Sequence, residues 1–89
     1  MKNSVLIVDD DNINTTTLTN ILSSDYTIYV AGSGMDGIML AEKHMPDVIL
    51  LDIVMPGMDG HAVLSALKSS EKTRNIPVIF VTALDCASE

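Results

Sequence analysis

Four short apolar segments recur along the chain, and they predict the strands of a sheet. Three are continuous runs rich in β-branched residues, at Val5–Val8, Val48–Leu51 and Val78–Val81. Continuous runs of this kind are typical of strands that are buried on both faces of a parallel sheet. The fourth segment, Thr27–Val30, alternates between polar and apolar residues, which predicts an edge strand.

Three stretches between these segments have apolar residues at helical spacing, and they predict helices. The predicted helices cover residues 12–23, 34–44 and 60–69. Residues suited to accept a hydrogen bond from the first helical turn precede them, namely Asp11, Ser33 and Asp59. We expect Leu18, Ile21 and Leu22 of the first helix to face the core, and Met45 to be a core or half-exposed position after the second.

The predicted elements alternate between strands and helices in the order βαβαβαβ. Alternation at this spacing indicates an α/β fold whose parallel strands are joined by right-handed crossovers. If the strand order is 2-1-3-4, the first and third strands are neighbours at the point where the winding direction reverses. We therefore predict one doubly wound parallel sheet in a single domain over residues 1–89.

Composition narrows the possible classes of function. The chain has 89 residues, of which 47% are hydrophobic, and its net charge is −7 from 12 acids and 5 bases. An acidic chain without a basic run is not suited to bind nucleic acid, and its apolar runs are too short to span a bilayer. Cys86 is the only cysteine, so no disulfide forms within the chain. We expect a cytoplasmic protein with no nucleic-acid or membrane partner.

Acidic residues follow two of the apolar runs. Asp9 and Asp10 end the first run, and Asp52 ends the third just before a Pro-Gly turn. Because the binding crevice of an open parallel sheet lies at the carboxyl ends of its strands, we expect Asp52 to lie close to Asp9 or Asp10. Carboxylates this close favour a bound cation, and oxygen ligands suit Mg²⁺ or Mn²⁺. The backbone carbonyl of Val54 is a reasonable further ligand.

Asp52 also suits a second chemical role. A carboxylate oxygen can act as a nucleophile and become an aspartyl phosphate, and a cation beside it neutralises the charge of the phosphoryl oxygens. Thr82 ends the fourth predicted strand beside the same crevice. Its hydroxyl is therefore predicted to donate a hydrogen bond to a phosphoryl oxygen on Asp52.

Three motifs in this order resemble the receiver domain of bacterial two-component response regulators. They are Val8-Asp9-Asp10, the segment LDIVMPGMDG from Leu51 to Gly60, and the segment PVIFVTA from Pro77 to Ala83. The resemblance covers essentially the whole chain and implies a flavodoxin-like fold. It also implies a phosphoacceptor domain, not itself an enzyme, that takes a phosphoryl group from a histidine kinase or a phosphotransfer protein.

The same resemblance implies a role for each site residue. Asp52 would be the phosphoacceptor, Asp10 would bind Mg²⁺ (or Mn²⁺) directly, and Asp9 would bind it through water. The Val54 carbonyl would be a metal ligand, and Thr82 would supply the switch hydroxyl.

The chain departs from the family on its C-terminal side. Receiver domains continue with a fifth strand, which ends in a lysine that pairs with the phosphoryl group, and with a last helix, whereas this chain stops at Glu89. We therefore predict a truncated receiver domain whose phosphorylation and dephosphorylation are impaired by the missing lysine. Val78–Val81 would be an unprotected edge strand, which predicts self-association through this strand or through the C-terminal segment.

Other interpretations compete with this one. A haloacid-dehalogenase-like phosphatase needs a second aspartate two residues after its nucleophile, where this chain has Val54. A small-cofactor binder such as a flavodoxin needs a loop rich in hydroxyls and glycine where this chain has consecutive aspartates. An interaction module of the same fold that no longer responds to phosphate stays open. Helix capping is the simpler role for Asp11, and Thr82 also suits a strand end without further function.

Overall fold

A computed structural model of the chain describes residues 3–53, 57 and 59–81. Four strands alternate with three helices over this part of the chain. In chain order they are β1 (Asn3–Val8), α1 (Asn12–Leu22), β2 (Tyr26–Ala31), α2 (Gly34–His44), β3 (Val48–Asp52), α3 (Gly60–Ser69) and β4 (Val78–Val81). The predicted order of elements is confirmed, and each predicted end agrees with the structure within two residues.

The four strands form one parallel sheet in the order β2-β1-β3-β4. The predicted strand order is therefore confirmed, and the alternating segment β2 lies at an edge as expected. Val8 of β1 is opposite Ala31 on one side and Leu51 on the other. The winding direction reverses between β1 and β3, so the crevice of the fold lies where these two strands end.

The core lies between the sheet and the helices α2 and α3. Its buried residues come from the strands, from both helices and from the loop before β4: Leu6, Val8, Ala31, Ala41, Ile49, Leu51, Val63, Leu67 and Ile76. Val5 and Ile7, which alternate with Leu6 and Val8 along β1, are buried on the other face of the sheet. Each such side chain stabilises the fold by about 1.5–3 kcal/mol, which explains why the apolar run of β1 is continuous.

All three helices begin with the predicted capping residue. The Asp11 carboxylate accepts a hydrogen bond from the Ile13 N–H at 2.9 Å, and the Asp59 carboxylate accepts one from the Ala62 N–H at 3.0 Å. The Ser33 hydroxyl accepts a hydrogen bond from the Asp36 N–H at 3.2 Å. Each cap satisfies a backbone donor that the first helical turn leaves without a partner inside the helix.

One predicted position differs from the structure. Ile21 was expected to face the core, but its side chain is 63% exposed, whereas Leu18 and Leu22 of the same helix are half-buried. Met45 is 54% exposed, in line with the half-exposed alternative, and it adopts the left-handed conformation that ends α2, with a φ of 48°. None of the described helices is long and apolar enough to cross a membrane.

Side chains of α3 and of the following loop make hydrogen bonds that hold the connection to β4. The buried Thr73 hydroxyl donates a hydrogen bond to the Leu67 carbonyl at 2.6 Å. Lys68 Nζ donates to the carbonyl oxygens of Arg74 and Ile76, at 3.1 and 3.0 Å. These bonds satisfy carbonyls at the end of the helix and in the loop, and they fix where the chain enters β4.

Candidate functional site

Three carboxylates meet where β1 and β3 end. Ligand oxygens of Asp9, Asp10 and Asp52 all lie within 4.8 Å of one another. Asp9 and Asp52 are 5% and 6% exposed, whereas Asp10 is exposed. Pairing of Val8 with Leu51 places the residues that follow β1 beside the last residue of β3. The structure therefore brings together the three acidic residues that the sequence singled out, although their roles as ligands and acceptor stay predictions.

Asp9 is held by hydrogen bonds from three directions. Its backbone N–H donates to the Ala31 carbonyl of β2 at 3.0 Å. Its carboxylate accepts the Asp11 N–H on Oδ1 at 2.9 Å and lies 3.5 Å from Asn14 Nδ2 on Oδ2. The bond to β2 fixes the backbone of Asp9, and the partners in the turn after β1 and in α1 orient its carboxylate within the cluster.

Sequence reasoning missed Asn14. A signal for it was present, because Asn14 lies four residues before Leu18 in the same helix and residues four apart share a helix face. An amide on the sheet-facing side of a first helical turn has a polar partner to find, and here that partner is Asp9.

The first residue of α3 packs directly against the backbone of Asp52. A Cβ on Gly60 would lie 2.6 Å from the Asp52 carbonyl oxygen and 2.7 Å from the Ile53 Cα. The Gly60 N–H donates to the Ile53 carbonyl at 2.8 Å. In the connection between them, Gly57 has a φ of 85°, a conformation that glycine adopts without strain. The helix start thereby fixes the strand end that carries Asp52.

The two other predicted site residues are not in the described part of the chain. Val54 and Thr82 both lie outside residues 3–53, 57 and 59–81. The metal-binding carbonyl of Val54 and the phosphoryl-binding hydroxyl of Thr82 therefore stay predictions from the sequence.

Charge is distributed unevenly between the two ends of the described sheet. The three helix-capping or first-turn acids Asp11, Asp36 and Asp59 lie at the same end as the carboxylate cluster, since helices of this fold begin where strands end. The lysines and the arginine of the described ranges lie in the last turns of α2 and α3 or in the loop after α3, at the opposite end of the sheet: Lys43, Lys68, Lys72 and Arg74. Four acids lie at that end as well and offset this positive charge, namely Asp25, Glu42, Asp47 and Glu71. The summed field of this arrangement attracts cations to the carboxylate end.

The donor set of the cluster suits a hard divalent cation. Within the described ranges the cluster consists of carboxylates alone, and carboxylates with water are the preferred ligands of Mg²⁺ and Mn²⁺. Two oxygens bound to one Mg²⁺ at about 2.1 Å lie at most about 4.2 Å apart. A set of oxygens within 4.8 Å therefore fits a cation that binds some carboxylates directly and another through water.

The chain matches one protein family over nearly its whole length. Residues 5–88 match the family model of the response regulator receiver domain. The residues that form the acidic cluster, the strands β2 to β4 and all of β1 except its first two residues lie within the matched range.

Two curated relatives are named response regulators. The response regulator PleD of Caulobacter vibrioides is 43% identical over 88 residues, which is 96% of this chain but 19% of the relative. The polar-differentiation response regulator DivK of Brucella ovis is 40% identical over 84 residues, which is 93% of this chain and 68% of the relative. The chain thus spans about a fifth of the length of PleD and about two thirds of DivK.

A solved structure shares the fold. The receiver domain of the sensor histidine kinase PA1611 from Pseudomonas aeruginosa superimposes with a TM-score of 0.88 at 27% identity. The match covers 99% of this chain and 73% of that one, and that structure holds a magnesium ion coordinated in its active-site cleft. The predicted flavodoxin-like fold class is confirmed by this likeness together with the observed strand order.

Proposed function

Since this chain belongs to the response regulator receiver domain family, we propose that Asp52 accepts a phosphoryl group and that Asp9 and Asp10 hold a divalent cation beside it. The observation that carries the proposal is the convergence of these three carboxylates within 4.8 Å. The site lies at the reversal of winding, where open parallel sheets bind their ligands. Magnesium in the cleft of the PA1611 receiver domain supports the choice of cation.

The chemistry assigned to Asp52 is an in-line substitution at phosphorus. One carboxylate oxygen attacks the phosphorus atom, the bond between phosphorus and the donor atom breaks, and the donor keeps the electron pair and is protonated by water. Asp9, Asp10, the attacking carboxylate and the phosphoryl oxygens all carry negative charge in the same small site. The chemistry that a bound Mg²⁺ supplies here is neutralisation of that charge.

The donor we propose is a histidine kinase or a histidine phosphotransfer protein. Membership of the receiver family supports a phosphoryl group delivered by another protein. PleD and DivK are both named response regulators, and the PA1611 receiver domain belongs to a sensor histidine kinase. The cytoplasmic location expected from the sequence stays a prediction.

Phosphorylation of these 89 residues alone is proposed to be slow. Within the described ranges the basic side chains lie at the end of the sheet opposite to Asp52, and Lys68 donates its hydrogen bonds to the carbonyls of Arg74 and Ile76. No described cation is therefore placed to pair with a phosphoryl group on Asp52. Such an ion pair would favour both the forward reaction and the phosphorylated product.

A second proposal is that copies of this chain associate through β4. The observation that favours it is an apolar surface on that strand, where Ile79 is 53% exposed beside the half-buried Leu50 of β3. Association through β4 is compatible with both candidate functions, a phosphoacceptor and an interaction module that no longer responds to phosphate. The two functions differ in whether Asp52 becomes phosphorylated.

Phosphorylation of Asp52 is tested by incubating the chain with Mg²⁺ and acetyl phosphate and measuring its intact mass. We expect a slow gain of one phosphoryl group, abolished in Asp52→Asn and by removal of Mg²⁺ with a chelator. Asp25→Asn is the matched control, since Asp25 is an exposed acid in the turn after α1, and it should be modified like the unaltered chain. An unmodified chain after prolonged incubation would instead favour the interaction module.

A further inference from the structure

We propose that Asn14 is a positioning residue of the cation site, which holds the Asp9 carboxylate in the orientation that the site requires. The inference rests on the proposed cation site and adds to it a residue that does not itself touch the cation. It is carried by the placement of the Asn14 amide against the buried carboxylate of Asp9.

The two oxygens of the Asp9 carboxylate have different partners. Oδ1 accepts the Asp11 backbone N–H at 2.9 Å, a bond that any residue at position 11 other than proline would make. Oδ2 lies 3.5 Å from Nδ2 of Asn14, and this contact depends on the side chain at position 14. A carboxylate held on one oxygen alone is free to rotate about its last bond, whereas a donor on each oxygen fixes its plane. Asn14 therefore determines where the second oxygen of Asp9 points.

An amide suits this position better than the other polar side chains. Asp9 already lies with two further carboxylates within 4.8 Å, so an acid at position 14 would add repulsion. A lysine or arginine would place a fixed positive charge in competition with the cation. The neutral amide donates a hydrogen bond to Asp9 and does not change the net negative charge of the cluster, which attracts the cation.

The place of Asn14 in α1 gives the contact its rigidity. Asn14 belongs to the first turn of α1, which the Asp11 carboxylate caps through the Ile13 N–H. In the same turn, the buried Thr15 hydroxyl donates to the Asn12 carbonyl at 3.1 Å. The half-buried Asn14 side chain thus extends from a fixed helix start toward the strand end that carries Asp9.

The consequence is a loss of cation affinity when the amide is removed. Partners that orient metal ligands typically change metal affinity by about 10–100-fold when they are removed. The contact of 3.5 Å is long for a hydrogen bond, so we expect a change near the lower end, about tenfold. The fold itself should be little affected, because Asn14 is outside the apolar core.

The test is a Mn²⁺ titration of the unaltered chain, Asn14→Ala and Asn20→Ala, followed by water-proton relaxation and repeated with Mg²⁺ by calorimetry. Asn20 is an exposed asparagine in the same helix and provides the matched control. We expect Asn14→Ala to weaken binding about tenfold, with Asn20→Ala unchanged. Thermal unfolding without cation should be nearly equal in all three, which separates a role at the site from a role in folding.

A double-mutant cycle shows whether Asn14 acts through Asp9. In the background of Asp9→Ala, where Asp10 and Asp52 still bind the cation weakly, Asn14→Ala should cause no further loss, since its partner is gone. An equal loss in both backgrounds, or unchanged affinity in Asn14→Ala while the unaltered chain binds saturably, would overturn the inference and leave the cation site standing. If the unaltered chain binds neither cation, the cation site and this inference both fall.

Discussion

Asp10 is the exposed member of the acidic cluster, and its charge acts in opposite directions on stability and on cation binding. Without a cation, Asp10 repels two carboxylates within 4.8 Å, and at this solvent-exposed position the two repulsions together amount to about 0.5–1 kcal/mol. We predict that Asp10→Asn raises the melting temperature of the cation-free chain by roughly 2–8 °C.

The same substitution should remove most of the stabilisation that Mg²⁺ provides, because the ligand charge is lost. Differential scanning fluorimetry with and without Mg²⁺ measures both effects, with Asp25→Asn as a control that should change neither. A lower melting temperature of the cation-free variant would show that Asp10 makes a stabilising contact that outweighs the repulsion.

At the scale of single residues, the sequence predicted the site residues that lie at strand ends and missed the one that lies on a helix face. Asp9, Asp10 and Asp52 follow apolar runs that the parallel sheet brings side by side, so their meeting follows from the order of elements. Asn14 reaches the cluster through its position on a helix face. Its spacing from Leu18 indicates the helix face, but the strand end that this face reaches depends on the direction of α1 over the sheet.

Among the elements, α3 is the one whose start decides the position of Asp52. A Cβ on Gly60 would lie 2.6 Å and 2.7 Å from backbone atoms of Asp52 and Ile53, and backbone atoms of a central strand cannot move aside. We predict that Gly60→Ala destabilises the chain by about 1–3 kcal/mol. Alanine is intrinsically favoured in a helix over glycine by about 1 kcal/mol, so a net loss would show that the steric conflict dominates.

Gly32→Ala is the matched control for this prediction. Nothing lies within 4 Å of the position of a Cβ on Gly32. Alanine there should be neutral or stabilising by up to about 1 kcal/mol, because it lowers the conformational entropy of the unfolded chain. Urea unfolding of both variants, followed by circular dichroism, gives the comparison. If Gly60→Ala is as stable as the unaltered chain, the start of α3 is free to move away from Asp52.

The starts of the helices were predictable because local caps define them, whereas the contacts that hold the loop after α3 were not. Asp11, Ser33 and Asp59 cap the helices through backbone donors two or three residues away, so the sequence alone locates these starts. The loop after α3 is held by Thr73 and by Lys68, whose partners lie six and eight residues away. Such contacts follow from the folded path of the loop and from no local pattern.

In the whole molecule, the topology separates charge along the axis of the strands. Helix-capping acids add to the carboxylate cluster at one end, and the described lysines and arginine lie in or after the last helical turns at the other. The acidic end is predictable from a sequence of this kind, because caps precede helices and the cluster follows strands. The net charge of −7 has a second consequence, since it opposes contact between two copies of the chain.

Self-association through β4 is therefore a balance between apolar contact and charge repulsion. Ile79 is 53% exposed, and a second copy that covers it and Leu50 removes apolar surface from water. We predict a dimer whose fraction rises with protein concentration. It should also rise with salt, since the screening length falls from about 30 Å at 0.01 M to about 8 Å at 0.15 M ionic strength.

Two matched substitutions locate the contact. Ile79→Lys places a charge on β4 and should leave the chain monomeric under conditions where the unaltered chain dimerises. Ile21→Lys makes the same change at a side chain that is 63% exposed on α1, and it should leave the dimer intact. Sedimentation velocity across a dilution series at both salt concentrations measures the fractions. If Ile21→Lys disrupts the dimer and Ile79→Lys does not, the contact lies on α1, and if the unaltered chain is monomeric throughout, repulsion outweighs the apolar contact.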